Sequence, residues 1–404
     1  MSDKIFQNTA IREWMAAIKE GEPEVLSFQK KMALTESPTF EEAQRGAVIK
    51  ELFQDMGLED VSMDDIGNVY GTLPGNGLSV DRESVDRESV VIEAHMDTVF
   101  PKGTAREVKE ENGIYHCPGI SDNTRGIAVL YGLLRIFRQF GIRTEKDIIF
   151  LATVREEGIG GCSGIKYFLE HCGSIACCIS IDGPDADVII HGGCGIKTIE
   201  VKFRGRGGHA YNAYGKVGNP VHAAVRAMNR IVALPLPPEP RTTCVISGFH
   251  AGTEDGIHAT PAEASLTLNF RSEDQQELIR LEKSILAALE LGVSEENAFT
   301  GGSDIDFEVV RHVDIPAVHQ PTSSQIVRAM SSAMEFLNLK PIFDCSCPTN
   351  ASVTMGKGIP GICIGGGGKA GDNHSLQEWY DPVDSHLGVQ SAFLGLLILA
   401  GLQQ

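Results

Sequence analysis

The sequence predicts an α/β protein: a large domain with a mostly parallel sheet between helices, interrupted by a smaller α+β domain. Three observations predict it. Short apolar runs at 90–94, 147–154 and 176–181 lead into His95, Glu156-Glu157 and Asp182. Continuous apolar runs suit strands buried in a parallel sheet, and ligands gather at the carboxyl ends of such strands. Between 197 and 311 the pattern becomes strand-helix-strand-strand-helix-strand, the order of a small α+β layer. After 312 the earlier style returns. The expected division is therefore 1–196 with 312–404 as one domain and 197–311 as the insert.

Each element has a local reason. Val25, Phe28 and Met32 keep helical spacing. Thr39-Phe40-Glu41-Glu42 reads as a capping box opening a helix that closes near Gly57. Residues 60–100 read as strands and turns, with Val-Asp-Arg-Glu-Ser repeated at 80–84 and 85–89 as a duplicated surface loop. Val129, Leu133, Ile136, Phe137 and Phe140 form one face of a helix over 121–140. In the insert, 197–204 alternates as a half-exposed strand does. Asn219-Pro220 caps and opens a helix bearing Val221, Ala224, Val225 and Met228. Strands follow at 242–249 and 264–271, then a helix at 274–291.

Composition narrows the function. The chain has 404 residues, 42% hydrophobic and 22% charged, as expected of a soluble globular protein with two cores. Its net charge of −19 argues against nucleic acid and anionic membranes as partners. The N-terminus shows no apolar core of signal-peptide length, and the longest apolar run, 394–400, is too short to span a bilayer. Ten scattered cysteines then suggest reduced thiols in the cytoplasm.

The chemistry lies in an ordered set of acids and histidines: His95, Asp97, Asp122, Glu156, Glu157, Asp182 and His374. Zinc takes imidazole and carboxylate ligands, and two adjacent zinc ions need about this many. Asp122, Glu157, Asp182 and a bridging hydroxide would balance the four positive charges, leaving Glu156 free to act as a base. His95 and Asp97 lie two apart at a strand end, so their side chains point the same way. Taken singly, each signal has an ordinary reading. Ser121 and Asp122 suit a helix start, Asp182-Gly183-Pro184 a turn, and His374 a surface loop. Their order and their placement at strand ends favour the metal reading.

The segments HMDT at His95, GISDNTRG at Asp122, REEG at Glu156-Glu157 and GDNHSLQEW at His374 resemble the M20 zinc exopeptidases and amidohydrolases, most of all the peptidase T-like members. The resemblance covers nearly the whole chain. It implies one zinc on His95 and Asp182, a second on Glu157 and His374, and Asp122 bridging them through a residue whose following peptide bond is often cis. Asp97 would support His95, and Glu156 would be the general base. Mn²⁺ or Co²⁺ could occupy the same ligands.

The insert resembles the family's lid and dimerisation domain, so a homodimer is expected. His209, in Gly205-Arg206-Gly207-Gly208-His209-Ala210, matches a histidine that reaches the partner's active site and donates to the oxyanion. Arg271 matches an arginine that takes the substrate's carboxylate. Two places depart from the family pattern: His258 stands where many relatives have Asn, and Asn350 stands in place of an acidic step. Both are expected to line or support the substrate side. The expected substrate is a short peptide with a free carboxylate. An N-acyl amino acid is the alternative, since a deacylase would share every metal residue. A non-catalytic binding protein of the same fold would be expected to have lost a ligand or the base, and none is missing.

Overall fold

Residues 5–76, 88–302 and 304–403 are described by a computed structural model. Most of the duplicated loop, 80–87, lies outside the described residues. The chain divides into two compact units, 1–193 with 319–404 and 194–318.

The first unit is built on an eight-stranded mixed sheet ordered Glu59–Met63, Val69–Leu73, Ile148–Thr153, Ser89–His95, Ile175–Ile181, Gly361–Ile364, Val188–Ile190, Ile342–Asp344. Its four central strands, from Ile148–Thr153 to Gly361–Ile364, run parallel. Towards the edges antiparallel pairs appear, so the mostly parallel sheet is mixed at its margins. Ser89–His95 is buried along its whole length, which explains its unbroken apolar run. Helices Thr124–Phe140 and His386–Ala400 pack on that strand. The second is buried from Gly388 to Ala400, so the 394–400 run is a core helix. Among the described residues no helix is long and apolar enough to cross a membrane.

A smaller sheet matters for the site. Lys369–Gly371, Trp379–Asp381, Ile114–His116 and Lys109–Glu111 pair in that order. The pairing of Trp379 with His116 draws the segment after His374 against the loop before Asp122.

The second unit is a four-stranded antiparallel sheet ordered Thr242–Ala251, Glu263–Ser272, Gly195–Arg204, Asp306–Ile315. Helices Pro220–Ile231 and Gln275–Thr300 pack on each other and on the sheet. Alternate residues Val201, Phe203, Leu266, Leu268 and Phe270 face those helices in one core. Asn219 and Asp274 cap the helices by accepting backbone N–H groups. The last strand runs on to Ile315, opposite Ile196, so the unit extends past the expected edge at 311.

The capping-box reading of Thr39 and Glu42 is corrected. The helix begins at Ala43 without a side-chain cap. The Thr39 hydroxyl donates to Asp97 Oδ2 at 2.9 Å instead, and Glu42 Oε1 accepts the backbone N–H groups of Phe40 and Arg155. A competing tertiary acceptor, Asp97, took the Thr39 hydroxyl, while the Glu42 carboxylate accepts from Phe40 nearby and from Arg155 across the fold.

Candidate metal centre

Four connected chain ends build the site in the first unit. His95 ends one parallel strand, Glu156 and Glu157 follow the next, Asp182 follows the third, and the 365–368 glycines follow the fourth. Asp122 comes from the loop before helix Thr124–Phe140, which Asn123 caps by accepting the Gly126 N–H. The Asp122–Asn123 peptide is cis, as the resemblance implies.

The five expected ligands converge. Asp122 lies between two imidazoles, with Oδ1 3.2 Å from His95 Nε2 and Oδ2 3.0 Å from His374 Nε2. Glu157 Oε1 is 3.0 Å from the same His374 nitrogen, and Asp182 Oδ1 is 3.9 Å from His95 Nε2. His95, Asp122 and Asp182 offer three ligand atoms within 4.8 Å of one another, and so do Asp122, Glu157 and His374. Donors on one tetrahedral zinc at about 2.1 Å stand about 3.4 Å apart. The observed spacings bracket that value, so the donor set fits two ions sharing Asp122. Glu156 also reaches within 4.8 Å of His95 and Glu157, placing a further carboxylate at the edge of the set.

The electrostatics describe a centre short of positive charge. Burial pushes Glu156 well above the usual carboxylate range; His95 opposes this, while repulsion from Asp182, Glu157 and Asp97 adds to it. Burial, then the charge of Asp122, raises Asp182 to about 7. The same two causes raise Glu157. Asp122 moves the other way: burial raises it, but hydrogen bonds with His374 and His95 outweigh burial. His374 rises to about 9, chiefly through its hydrogen bond with Asp122. Burial disfavours the charged form of His95, yet Asp122 and Asp97 together hold it well above its ordinary value. Divalent cations would relieve this crowding of carboxylates.

Asp97 holds the frame. It is fully buried and accepts the backbone N–H of Glu156 on Oδ1 and that of Glu157 on Oδ2, each at 3.0 Å. His95 Nδ1 stands 3.3 Å from Oδ1, near enough to pair electrostatically although its N–H is not aimed squarely at the oxygen. Such a partner turns Nε2 toward a metal. The carbonyl of Met96 receives the wholly buried Arg45 at 2.7 Å. Arg125, equally buried, ties Gly366 and Ser385 carbonyls to its helix. Arg155 and His374, with φ of 57° and 62°, hold left-handed backbone at the rim. Each such residue costs roughly 1–3 kcal/mol unless its surroundings fix it.

The structure also shows groups that the sequence did not single out. Glu378, buried within GDNHSLQEW, accepts the N–H groups of Gly119 at 2.8 Å, Ser121 at 2.8 Å and Asp122 at 3.1 Å. Gly119 takes φ of 75°, which a residue with a side chain rarely adopts. Cys162 places its sulfur 3.7 Å from Glu156 Oε1. Glu378 stood in plain view four residues after His374, but no local pattern marks an acid whose partners lie more than 250 residues away.

Asn350 lines no substrate surface, which leaves the supporting half of the expectation. It is 3% exposed, and its amide donates to Glu93 Oε2 and Thr153 Oγ1 at 3.1 and 3.0 Å. It braces the strands behind the site and offers no face to a substrate, because the start of helix Asn350–Gly356 is packed into the core.

His209, His258 and Arg271 belong to the second unit, and all three are exposed. The His209 and His258 loops pair, with Ala210 N–H donating to the His258 carbonyl at 2.8 Å. His209 Nδ1 accepts the N–H groups of Tyr211 and Asn212 at 3.3 and 3.4 Å, which leaves the ring proton on Nε2. Arg271 donates through Nε to Asn269, and among the described residues its guanidinium has no carboxylate partner.

The chain is similar to several known proteins. The Bacillus subtilis (strain 168) protein YqjE, uncharacterized, is 24% identical over 333 residues, covering 81% of this chain and 85% of that one. A tripeptidase from Staphylococcus aureus has a similar structure, with a TM-score of 0.73, 21% identity, and 94% and 98% of the two chains covered. A Bacillus subtilis protein described as a dinuclear metal binding peptidase of the M20 family aligns with a TM-score of 0.65 and 15% identity over 94% and 99%. The sequence pattern of Peptidase family M20/M25/M40 matches residues 91–400, so the chain belongs to that family and is a peptidase or amidohydrolase.

Proposed function

We propose that the chain is a co-catalytic dizinc hydrolase that cleaves the amide or peptide bond of short peptides with a free carboxylate, in the manner of an exopeptidase. One observation carries the reading: Asp122 turns one oxygen to His95 and the other to His374, as a carboxylate shared by two ions must. Asp182 completes the His95 side and Glu157 the His374 side. Mn²⁺ or Co²⁺ would satisfy the same donors. When bound, the ions lower the pKa of a water and polarise the scissile carbonyl.

The chain's own groups do the rest. Asp97 orients His95 and fixes the Glu156-Glu157 corner. Glu156, held at the edge of the donor set, accepts the proton of the attacking water and passes it to the leaving amine. His209, with its proton on Nε2, donates to the oxyanion through a homodimer formed by the lid. Arg271, without an acidic partner among the described residues, pairs with the substrate's carboxylate. The tripeptidase likeness supports a short peptide.

The test is metal analysis of the purified protein together with a panel of di- and tripeptides, N-acyl amino acids and a long blocked peptide. Two equivalents of metal and turnover of free-carboxylate peptides are expected. Preference for N-acyl amino acids would make it a deacylase. Steady cleavage of the blocked peptide would refute the role given to Arg271.

A further inference from the structure

We infer that Glu378 is a positioning residue for the metal bridge: it grips the main chain of Asp122 so that both carboxylate oxygens face their ions. The inference rests on the dimetal reading above and assigns a determinant of that centre outside its ligands.

Three facts carry it. Glu378 is fully buried, and both its oxygens are committed: Oε2 to Gly119 N–H, Oε1 to Ser121 and Asp122 N–H. Three N–H groups of one short loop converge on those two oxygens, which leaves the loop little freedom. The same segment also supplies His374, whose Nε2 lies 3.0 Å from Asp122 Oδ2. Thus 374–378 holds Asp122 at both ends, its carboxylate by His374 and its backbone by Glu378. Lastly, the Cys117 N–H donates to the Glu378 carbonyl at 3.1 Å, next to the pairing of Trp379 with His116. The clamp is therefore anchored in a sheet and does not ride on a loose loop.

The ligands on the two sides differ in their dependence on this clamp. His95 and Asp182 sit at ends of strands in the main sheet and keep their places without it. His374 and Asp122 are set by the clamped loops. Losing Glu378 should release the His374 side first.

The experiment compares wild type with E378Q, in which an amide replaces one acceptor with a donor facing backbone N–H groups. E296Q serves as control, because Glu296 is 1% exposed and accepts the Asn219 N–H in the second unit. Metal-free proteins, shown to be folded by circular dichroism, are titrated with Co²⁺ while visible absorption and paramagnetic resonance are recorded. Wild type and E296Q should take two equivalents and show a coupled pair. E378Q should keep one tight equivalent, bind the second at least about tenfold more weakly, and lose the coupling signal. Should E378Q fail to fold, E378S, which leaves room for water against the three amides, is judged by the same criterion. Two tight, coupled equivalents in the folded variant would overturn the inference while leaving the dimetal reading intact. Failure of wild type to bind two equivalents would overturn both.

Discussion

The backbone N–H of Glu157 donates to Asp97 Oδ2 at 3.0 Å, so the acid that faces His95 also fixes the main chain of another ligand. The Thr39 hydroxyl shares that oxygen, and Glu156 N–H takes the other. Burial raises the carboxyl, but His95 and the two amides outweigh it and hold Asp97 below its usual value. D97N keeps the shape but removes the charge and one acceptor. We expect a loss of about 3 kcal/mol in stability, since a hydrogen bond to a charged group contributes about 1.5–3 kcal/mol, and metal affinity weakened roughly 10–100-fold. Chemical unfolding and metal titration measure the two losses. An unchanged metal affinity would remove Asp97 from its orienting role.

Glu156 is the carboxylate left over when two ions are assigned. Its replacement by Gln should leave the metal content at the wild-type level. Turnover should fall about 10²–10⁴-fold or more, the contribution of a positioned acid-base group. Metal analysis and steady-state kinetics on one preparation decide it, and wild-type turnover in E156Q would refute the base assignment.

The stability of the metal-free protein should fall as pH rises toward neutrality. Burial and Asp122 raise Asp182 in the folded state from 3.8 to about 7, so the folded form binds more protons than the unfolded one across that window. Stability therefore declines with pH there. His374, raised from 6.5 to about 9 chiefly by Asp122, adds a stabilising charge that is complete below 6.5 and lost as pH rises through 9. Cations replace those protons. The rise in melting temperature on adding Zn²⁺ or Co²⁺ should thus be larger at pH 7.5 than at pH 5.5. Thermal scans with metal and with chelator check it; a smaller rise at pH 7.5 would contradict the charge account.

The second unit's residues should separate by kinetic parameter. H209A should lower kcat about 10²–10³-fold, the loss typical of one oxyanion donor, with metal content unchanged. R271A should mainly raise KM for free-carboxylate substrates and leave amidated ones little affected. If R271A affects both substrates equally, the guanidinium does not read the carboxylate.

How much was legible follows from what each signal needs. The buried strand Ser89–His95 announced itself because burial on both faces demands an unbroken apolar run. His95, Glu157 and Asp182 could be named because metal chemistry restricts residue types and strand ends restrict their places; Asp122 and His374, in loops, were named from residue type and the motifs around them. Thr39 misled, since a hydroxyl three residues before an acid reads as a cap until Asp97 is folded beside it. Asn350 was legible only in part for a like reason: its burial against Glu93 and Thr153 is set by helix packing.

The sequence by itself determined the α/β architecture, the inserted unit and the identities of the side chains that converge on the candidate metal centre, because periodicity and residue chemistry are local properties. Asp97 reads from the sequence as a support for His95, but only the tertiary structure decided its hold on the Glu156 and Glu157 amides and brought the other holding groups into place. Asp97, Arg45, Arg125 and Glu378 work through backbone amides and carbonyls supplied by distant segments. A backbone group is the same in every residue, so no residue code marks its partner, and the pairing exists only once the sheet has brought the chains together.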